Sequence, residues 1–267
     1  MSRILLALAL LVPAPLVAQI STKIDLVAWG EDIHGLTLGS PEKERCVTAL
    51  GFRYSEPVSY SGPVTVKIFQ NLAAVAEADA AMRAQVEEAN KNQEGRPVKV
   101  VPLPQRAAPP AGKPGEAPPP VALAMIPAGS RRVTILLAPA ANGTFRTYVI
   151  DDDPTKLPFG RLRVHNLSPL VIALRCNGGQ PAEIKPQQTL VVQPQANRQV
   201  VYELAYQHEG RWKIQENNLV KIVPDEQAQM VILKSNDAFF TSSDGSTGGF
   251  LQSVVLRRPR ESAPAAP

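Results

Sequence analysis

The chain has 267 residues, room for one large domain or two small ones, and its 28 Lys and Arg against 24 Asp and Glu leave a formal charge of +4, too slight and evenly mixed for a nucleic-acid binder. Apolar residues make up 44% and charged residues 19%, enough for a core and too little charge for a solvating disordered chain. The 26 prolines, about 10% against a usual 5% or so, exclude an all-helical bundle, because an interior proline costs a helix about 3 kcal/mol.

The N-terminus reads as an address. Arg3 precedes nine unbroken apolar residues, Ile4 to Val12, then Pro13, Pro15 and a small residue, Ala18, before Gln19. This is the order of a secretory signal peptide over residues 1–18, and nine residues make a helix of only about 14 Å, half a bilayer core. The expectation is an extracytoplasmic protein, periplasmic or secreted, with no transmembrane span after signal cleavage. Export allows Cys46 and Cys176 to bridge, but they stand 130 residues apart, and two separate small hydrophobes are the simpler reading.

From Thr22 the pattern is short, alternating and β-branched. Val64, Val66 and Ile68 alternate with polar residues, as do Val133, Ile135 and Leu137. Asn142-Gly143 predicts a hairpin into Phe145 to Ile150. Leu162 and Val164, then Leu170, Ile172 and Leu174, then Val200, Tyr202, Leu204 and Tyr206 continue the period of two. His208-Glu209-Gly210 reads as the turn into Trp212 and Ile214, and Met230, Ile232 and Leu251 to Leu256 supply the last strands.

One stretch departs from this. Ala73 to Asn90 is rich in helix formers with a thin apolar face, Leu72, Val75, Met82 and Val86, and predicts one surface helix. Eight prolines then fall in the 19 residues from Pro102 to Pro120, and Lys91 to Pro120 reads as an exposed disordered excursion, either a plain linker or a tether for a partner.

Val58 to Asn71 aligns without gaps with Val164 to Asn177, and Ile126 to Leu137 with Val223 to Lys234. Both pairs come in the same order. The reading is all-β: two related antiparallel β-sandwich domains, residues 22–150 and 158–258, with the helix and proline-rich insertion at 72–120 and a disordered tail at 259–267. The acidic run Asp151-Asp152-Asp153 reads as a solvated linker between them.

Chemistry is sparse. His34, His165 and His208 share no short spacing and read as solvated side chains, and Asp151 to Asp153 lack the spacing of a calcium loop. No G-x-S-x-G elbow occurs, and neither cysteine has the surroundings of a protease nucleophile. The expectation is therefore no catalytic residue, no metal ligand and no cofactor. Ser242 to Gly249 is a small-residue loop that reads as a hairpin, or as a backbone approach for an anion or sugar. Trp29, Trp212, Tyr202 and Tyr206 read mostly as core, with an aromatic binding platform as the alternative. Arg257-Arg258-Pro259-Arg260 reads as solvated charge, with a polyanion-binding patch as the alternative. Asn142-Gly143-Thr144 and Asn166-Leu167-Ser168 match glycosylation acceptors.

At VHNLSPLVIALRCNGG (Val164 to Gly179) and SSDGSTGGFLQSVVLRR (Ser242 to Arg258) the chain resembles bacterial exported proteins made of tandem β-sandwich domains. The resemblance covers residues 22–71 and 121–258 and implies Ig-like or jelly-roll-like domains, with no functional residue to carry over. The expected function is a non-enzymatic, structural or partner-binding protein of the cell envelope, its partner a protein or an envelope polymer. The rival class is a hydrolase or carbohydrate-active protein with its site at the domain junction.

Overall fold

The computed structural model describes residues 19–42, 45–92, 118–153, 155–234 and 251–260. The expected signal, most of the proline-rich excursion, the Ser242 to Gly249 loop and the tail beyond Arg260 lie outside these residues.

The described chain is mostly β-sheet with one α-helix. Its strands are β1 (Gln19–Ala28), β2 (Ile33–Leu38), β3 (Val47–Gly51), β4 (Val58–Pro63), β5 (Thr65–Gln70), β6 (Ala122–Met125), β7 (Arg132–Pro139) and β8 (Phe145–Asp151). They continue as β9 (Leu162–Asn166), β10 (Ile172–Cys176), β11 (Ala182–Ile184), β12 (Thr189–Val192), β13 (Gln199–His208), β14 (Arg211–Lys221), β15 (Glu226–Lys234) and β16 (Leu251–Pro259). The helix α1 (Leu72–Asn92) lies between β5 and β6.

An eight-stranded sheet runs β6-β5-β2-β3-β1-β7-β8, with β4 also on β1, and two four-stranded sheets run β11-β10-β13-β14 and β12-β9-β15-β16. Every pairing in β9–β16 has a counterpart eight strands earlier: β9 takes β12 and β15 as β1 takes β4 and β7, and β13 takes β10 and β14 as β5 takes β2 and β6. The first half has one pairing more. Val27 and Ala28 of β1 also pair with Leu50 and Gly51 of β3, which joins two strand groups into one sheet.

Two expectations need correction here. The sheets are mixed, because β1 pairs parallel with β7 and β9 parallel with β15. Turn residues reveal only strands joined by a tight turn, whereas a parallel pair is closed by a long crossover with no local signature. The alignment of Val58 to Asn71 with Val164 to Asn177 places β4 and β5 on β9 and β10, whereas by their neighbours β4 and β5 correspond to β12 and β13. Alternating apolar strands resemble one another whatever they pair with. The second alignment does match β7 with β15.

Side-chain alternation sorts the strands into three apolar clusters. Ile24, Leu26, Ile33, Leu36, Val66, Ile68, Val133, Ile135 and Leu137 fill the first. Leu162, Val164, Ile172, Leu174, Tyr202, Leu204, Met230 and Ile232 fill the second. The third takes Val27 and Leu136 from the opposite faces of β1 and β7, Ile150 from β8, and Val231, Leu233 and Leu256 from β15 and β16. The second half of β1 and strands β7 and β15 are thus buried on both faces, which explains the nearly continuous apolar runs of β7 and β15.

The expected turns form. Asn142 and Gly143 take φ of 56° and 68° between β7 and β8, and Glu209 and Gly210 take 51° and 73° between β13 and β14. Asn71 caps α1, its Oδ1 accepting from the N–H of Ala73 at 3.0 Å and of Ala74 at 3.3 Å. The helix lies on β2 at Gly35, whose φ is +72° and where an added Cβ would stand 2.6 Å from the carbonyl oxygen of Asn71. Gly35→Ala is expected to cost about 2 kcal/mol, from left-handed strain together with that clash. A urea midpoint equal to wild type would contradict it.

Two boundaries shift. Strand β1 begins at Gln19, three residues before the expected domain start. The tail does not begin at 259, because β16 includes Pro259 and the N–H of Arg260 donates to the carbonyl of Asp225 at 2.7 Å.

Candidate functional site

Above Val27 and Leu136 the third cluster gives way to a buried polar network. β1 contributes Asp25 to it, β7 contributes Arg132 and Thr134, β15 contributes Gln229 and β16 contributes Arg258, each on the strand face opposite the first or second cluster. Asp152 follows directly on β8. Asp25 and Asp152 are each 1% exposed, Arg132 8% and Arg258 7%.

The two carboxylates are bridged by guanidinium groups. Arg132 grips Asp25 with Nε at 2.7 Å from Oδ2 and Nη2 at 3.0 Å from Oδ1. Arg258 Nη2 lies 2.9 Å from the same Oδ2, and its Nη1 forms an ion pair with Asp152 at 2.7 Å, off the ideal hydrogen-bonding angle. Thr134 Oγ1 donates to Asp152 Oδ2 at 2.5 Å. The Arg258 guanidinium also sits 4.0 Å from the centre of the Tyr54 ring, a cation–π contact.

Asp152 then orders the rest. Its Oδ1 accepts from Gln229 Nε2, which also donates to Tyr54 Oη at 3.2 Å. A carboxylate only accepts, so the Gln229 amide turns its oxygen toward His165 Nε2, 2.7 Å away, and the imidazole must donate from that nitrogen. Burial pushes the His165 pKa down to about 4, with the Arg163 charge adding to the fall and the Gln229 bond and Asp152 opposing it. Burial, and then the Asp152 charge, raises the Tyr54 phenol. Arg163 closes the lower edge, donating to the carbonyls of Asp151 at 3.1 Å and Lys156 at 2.9 Å. The network is a clamp of matched charges in which both carboxylates are already held by cations.

Beside it the surface opens into a cleft of about 670 Å³ lined by Asp25, Phe52, Arg53, Tyr54, Ser55, Pro57, Arg132, Val255, Arg257, Arg258, Pro259 and Arg260. Ser55 secures its wall on β1, its Oγ accepting from the N–H of Leu26 at 2.8 Å.

Three sequence expectations change. His165 is 4% exposed, not solvated, because both faces of β9 are covered. Asp152 and Asp153 are buried, not a solvated linker; Thr155 bonds the Asp153 carboxylate through its N–H at 2.9 Å and hydroxyl at 2.8 Å, lowering its pKa. The basic run is divided: Arg258 is interior, while Arg257 pairs with Glu226 at 3.1 Å and Arg260 lies over Phe159 at 4.5 Å.

The remaining candidates are scattered. Tyr202 and Tyr206 are core residues of the second cluster, Trp29 packs beside the third with Phe52 edge-on at 5.4 Å, and Trp212 is 45% exposed on β14. Cys46 and Cys176 are both free and half-buried, and burial raises the Cys176 thiol to about 11. His34 Nδ1 lies 3.1 Å from Thr48 Oγ1, and His208 is 3.8 Å from Glu209. Asn142 is exposed, but Asn166 is fully buried, its amide donating to the carbonyls of Leu170 and Ile184 at 2.8 Å each. Among the described residues no three His, Cys, Asp or Glu side chains gather as metal ligands, and no helix is long and apolar enough to cross a membrane.

Sequence reasoning missed Asp25, Arg132, Gln229 and Tyr54. A signal existed in the near-continuous apolar runs of β7 and β15, which mark strands buried on both faces and so make their polar residues interior. Comparison of the chain with protein-family models and with curated proteins gave no match.

Proposed function

We propose that this is an exported, extracytoplasmic protein of two related β-sandwich domains, residues 19–150 and 158–260, joined rigidly and acting by binding a protein partner. The matched pairing order of β1–β8 and β9–β16 and their separate apolar clusters support the two units. Arg3 and the apolar run Ile4 to Val12 support export.

The observation that carries partner binding is β14. It is an eleven-residue edge strand whose outer side has no strand partner among the described residues. Trp212, Ile214 and Leu219 are 45%, 68% and 52% exposed, and Leu219 stands opposite the exposed Val201 of β13. A free edge offers a row of N–H and C=O groups to an added strand, and the apolar strip beside it supplies side-chain contacts. Arg211, Lys213 and Lys221 favour a segment with acidic residues among its apolar ones. The rival reading, a hydrolase or carbohydrate-active site at the junction, meets two carboxylates there that are already held by arginines, Asp25 by Arg132 and Arg258 and Asp152 by Arg258.

Cross-linked pull-downs from envelope fractions test the proposal, with the mature protein and Ile214→Glu compared. A partner recovered by the first and lost by the second is expected, with the melting curve unchanged because Ile214 contributes little to the core. Equal recovery by both, or no specific protein with either, would overturn it.

A further inference from the structure

We propose that the cleft beside the clamp binds a small ligand through an oxyanion, a carboxylate or phosphate group. The inference is independent of β14, which lies in another sheet. The cleft volume of about 670 Å³ falls within the range of small-molecule sites, about 300–1,000 Å³. Five of its twelve lining residues are arginines and only Asp25 is acidic, so the charge of the wall decides the class of ligand.

The acids around those arginines are nearly all engaged. Asp25 is taken by Arg132 and Arg258, Asp152 by Arg258, and Glu226 by Arg257 at 3.1 Å. Asp225 stands a loose 3.9 Å from Arg260. Arg53 is exposed and makes no ion pair among the described residues. It is the surplus cation of the cleft, and the Arg257 and Arg260 side chains remain 37% and 59% exposed beside it. A guanidinium fork matches the two oxygens of a carboxylate or phosphate, as Arg132 already shows on Asp25.

Arg53 is also presented by a fixed backbone. Phe52 before it takes a φ of 54°, uncommon for a residue with a side chain, and its N–H is tied to the carbonyl of Ala28 at 2.9 Å. Phe52, Pro57, Val255 and Pro259 add an apolar wall, so the ligand carries a carbon skeleton beside its anionic end.

The test uses the mature full chain titrated with citrate, with inorganic phosphate, and with glycerol as the uncharged control, followed by amide shifts in NMR. Saturable shifts at Arg53, Tyr54 and Arg257 with citrate or phosphate, weakening as salt is added, are expected, and whichever anion binds tighter identifies the source of the oxyanion. Arg53→Ala should weaken binding about five- to tenfold, the loss of one charge-assisted hydrogen bond. Arg45→Ala, which removes an exposed arginine outside the cleft, should leave it unchanged. Glycerol-like behaviour of both anions, or equal weakening by the two variants with melting curves like wild type, would overturn the proposal.

Discussion

Arg258→Met is expected to destabilise the folded protein by about 3–5 kcal/mol, the usual cost of removing one partner from a buried ion pair. Methionine fills much of the same volume, so the loss reports charge rather than packing. Asp25 keeps its bidentate hold on Arg132, but Asp152, 1% exposed, loses the one cation it pairs with among the described residues. Arg258→Lys should lose less, since an ammonium keeps the charge but cannot span Asp25 and Asp152 as the fork does. Urea unfolding of the three proteins measures the difference. A loss below about 1 kcal/mol for Arg258→Met, the value of an exposed pair, would mean that the clamp contributes little to the stability of the fold.

His165 sets the second large expectation, a loss of stability on acidification. Its folded pKa is pushed down to about 4, while the unfolded chain has the ordinary value near 6.5. Between these values the unfolded state binds more protons than the folded one. The contribution is therefore complete above pH 6.5, declines as pH falls toward 4, and levels off below, by on the order of 3 kcal/mol in all. The groups facing the ring are Gln229, Arg163 and Asp152, and none offers a protonated imidazole a carboxylate of its own, because Asp152 is already committed to Arg258. The comparison that isolates the imidazole is with His165→Gln, which keeps a donor for Gln229. The variant should show a flatter dependence of urea midpoint on pH from 6.5 to 4. Parallel curves for the two proteins would show that the folded His165 titrates normally.

Much of the fold was legible because its causes are local. A period of two in Val133, Ile135 and Leu137 or in Val200, Tyr202 and Leu204 follows from the pleat of a strand, and those residues are core. Asn142-Gly143 and Glu209-Gly210 adopt positive φ and reverse the chain where expected. The thin stripe of α1 likewise predicts a helix on the surface, and Leu72 and Met82 are 57% and 40% exposed. The parallel partners of β1 and β9 were not legible, since no turn joins them.

The candidate site was legible least. The residues that make it, Asp25, Tyr54, Arg132, Asp152, Gln229 and Arg258, are spread over most of the chain, and Arg258 donates to Asp25 across 233 positions. Each looks solvated in its own neighbourhood because acids, arginines and glutamines usually are. Burial reversed the reading of His165, of Asp152 and Asp153, and of Arg258 alike.

By itself, then, the amino-acid sequence determined a β-rich chain, the faces its strands turn inward, its turns and the helix α1, all from interactions within a few residues. The tertiary structure alone decided which strands meet in parallel, and that the outer faces of β1, β7, β15 and β16 close on one another. Once they close, water is removed from charges that sequence proximity could not pair, and only partners brought from far along the chain can satisfy them.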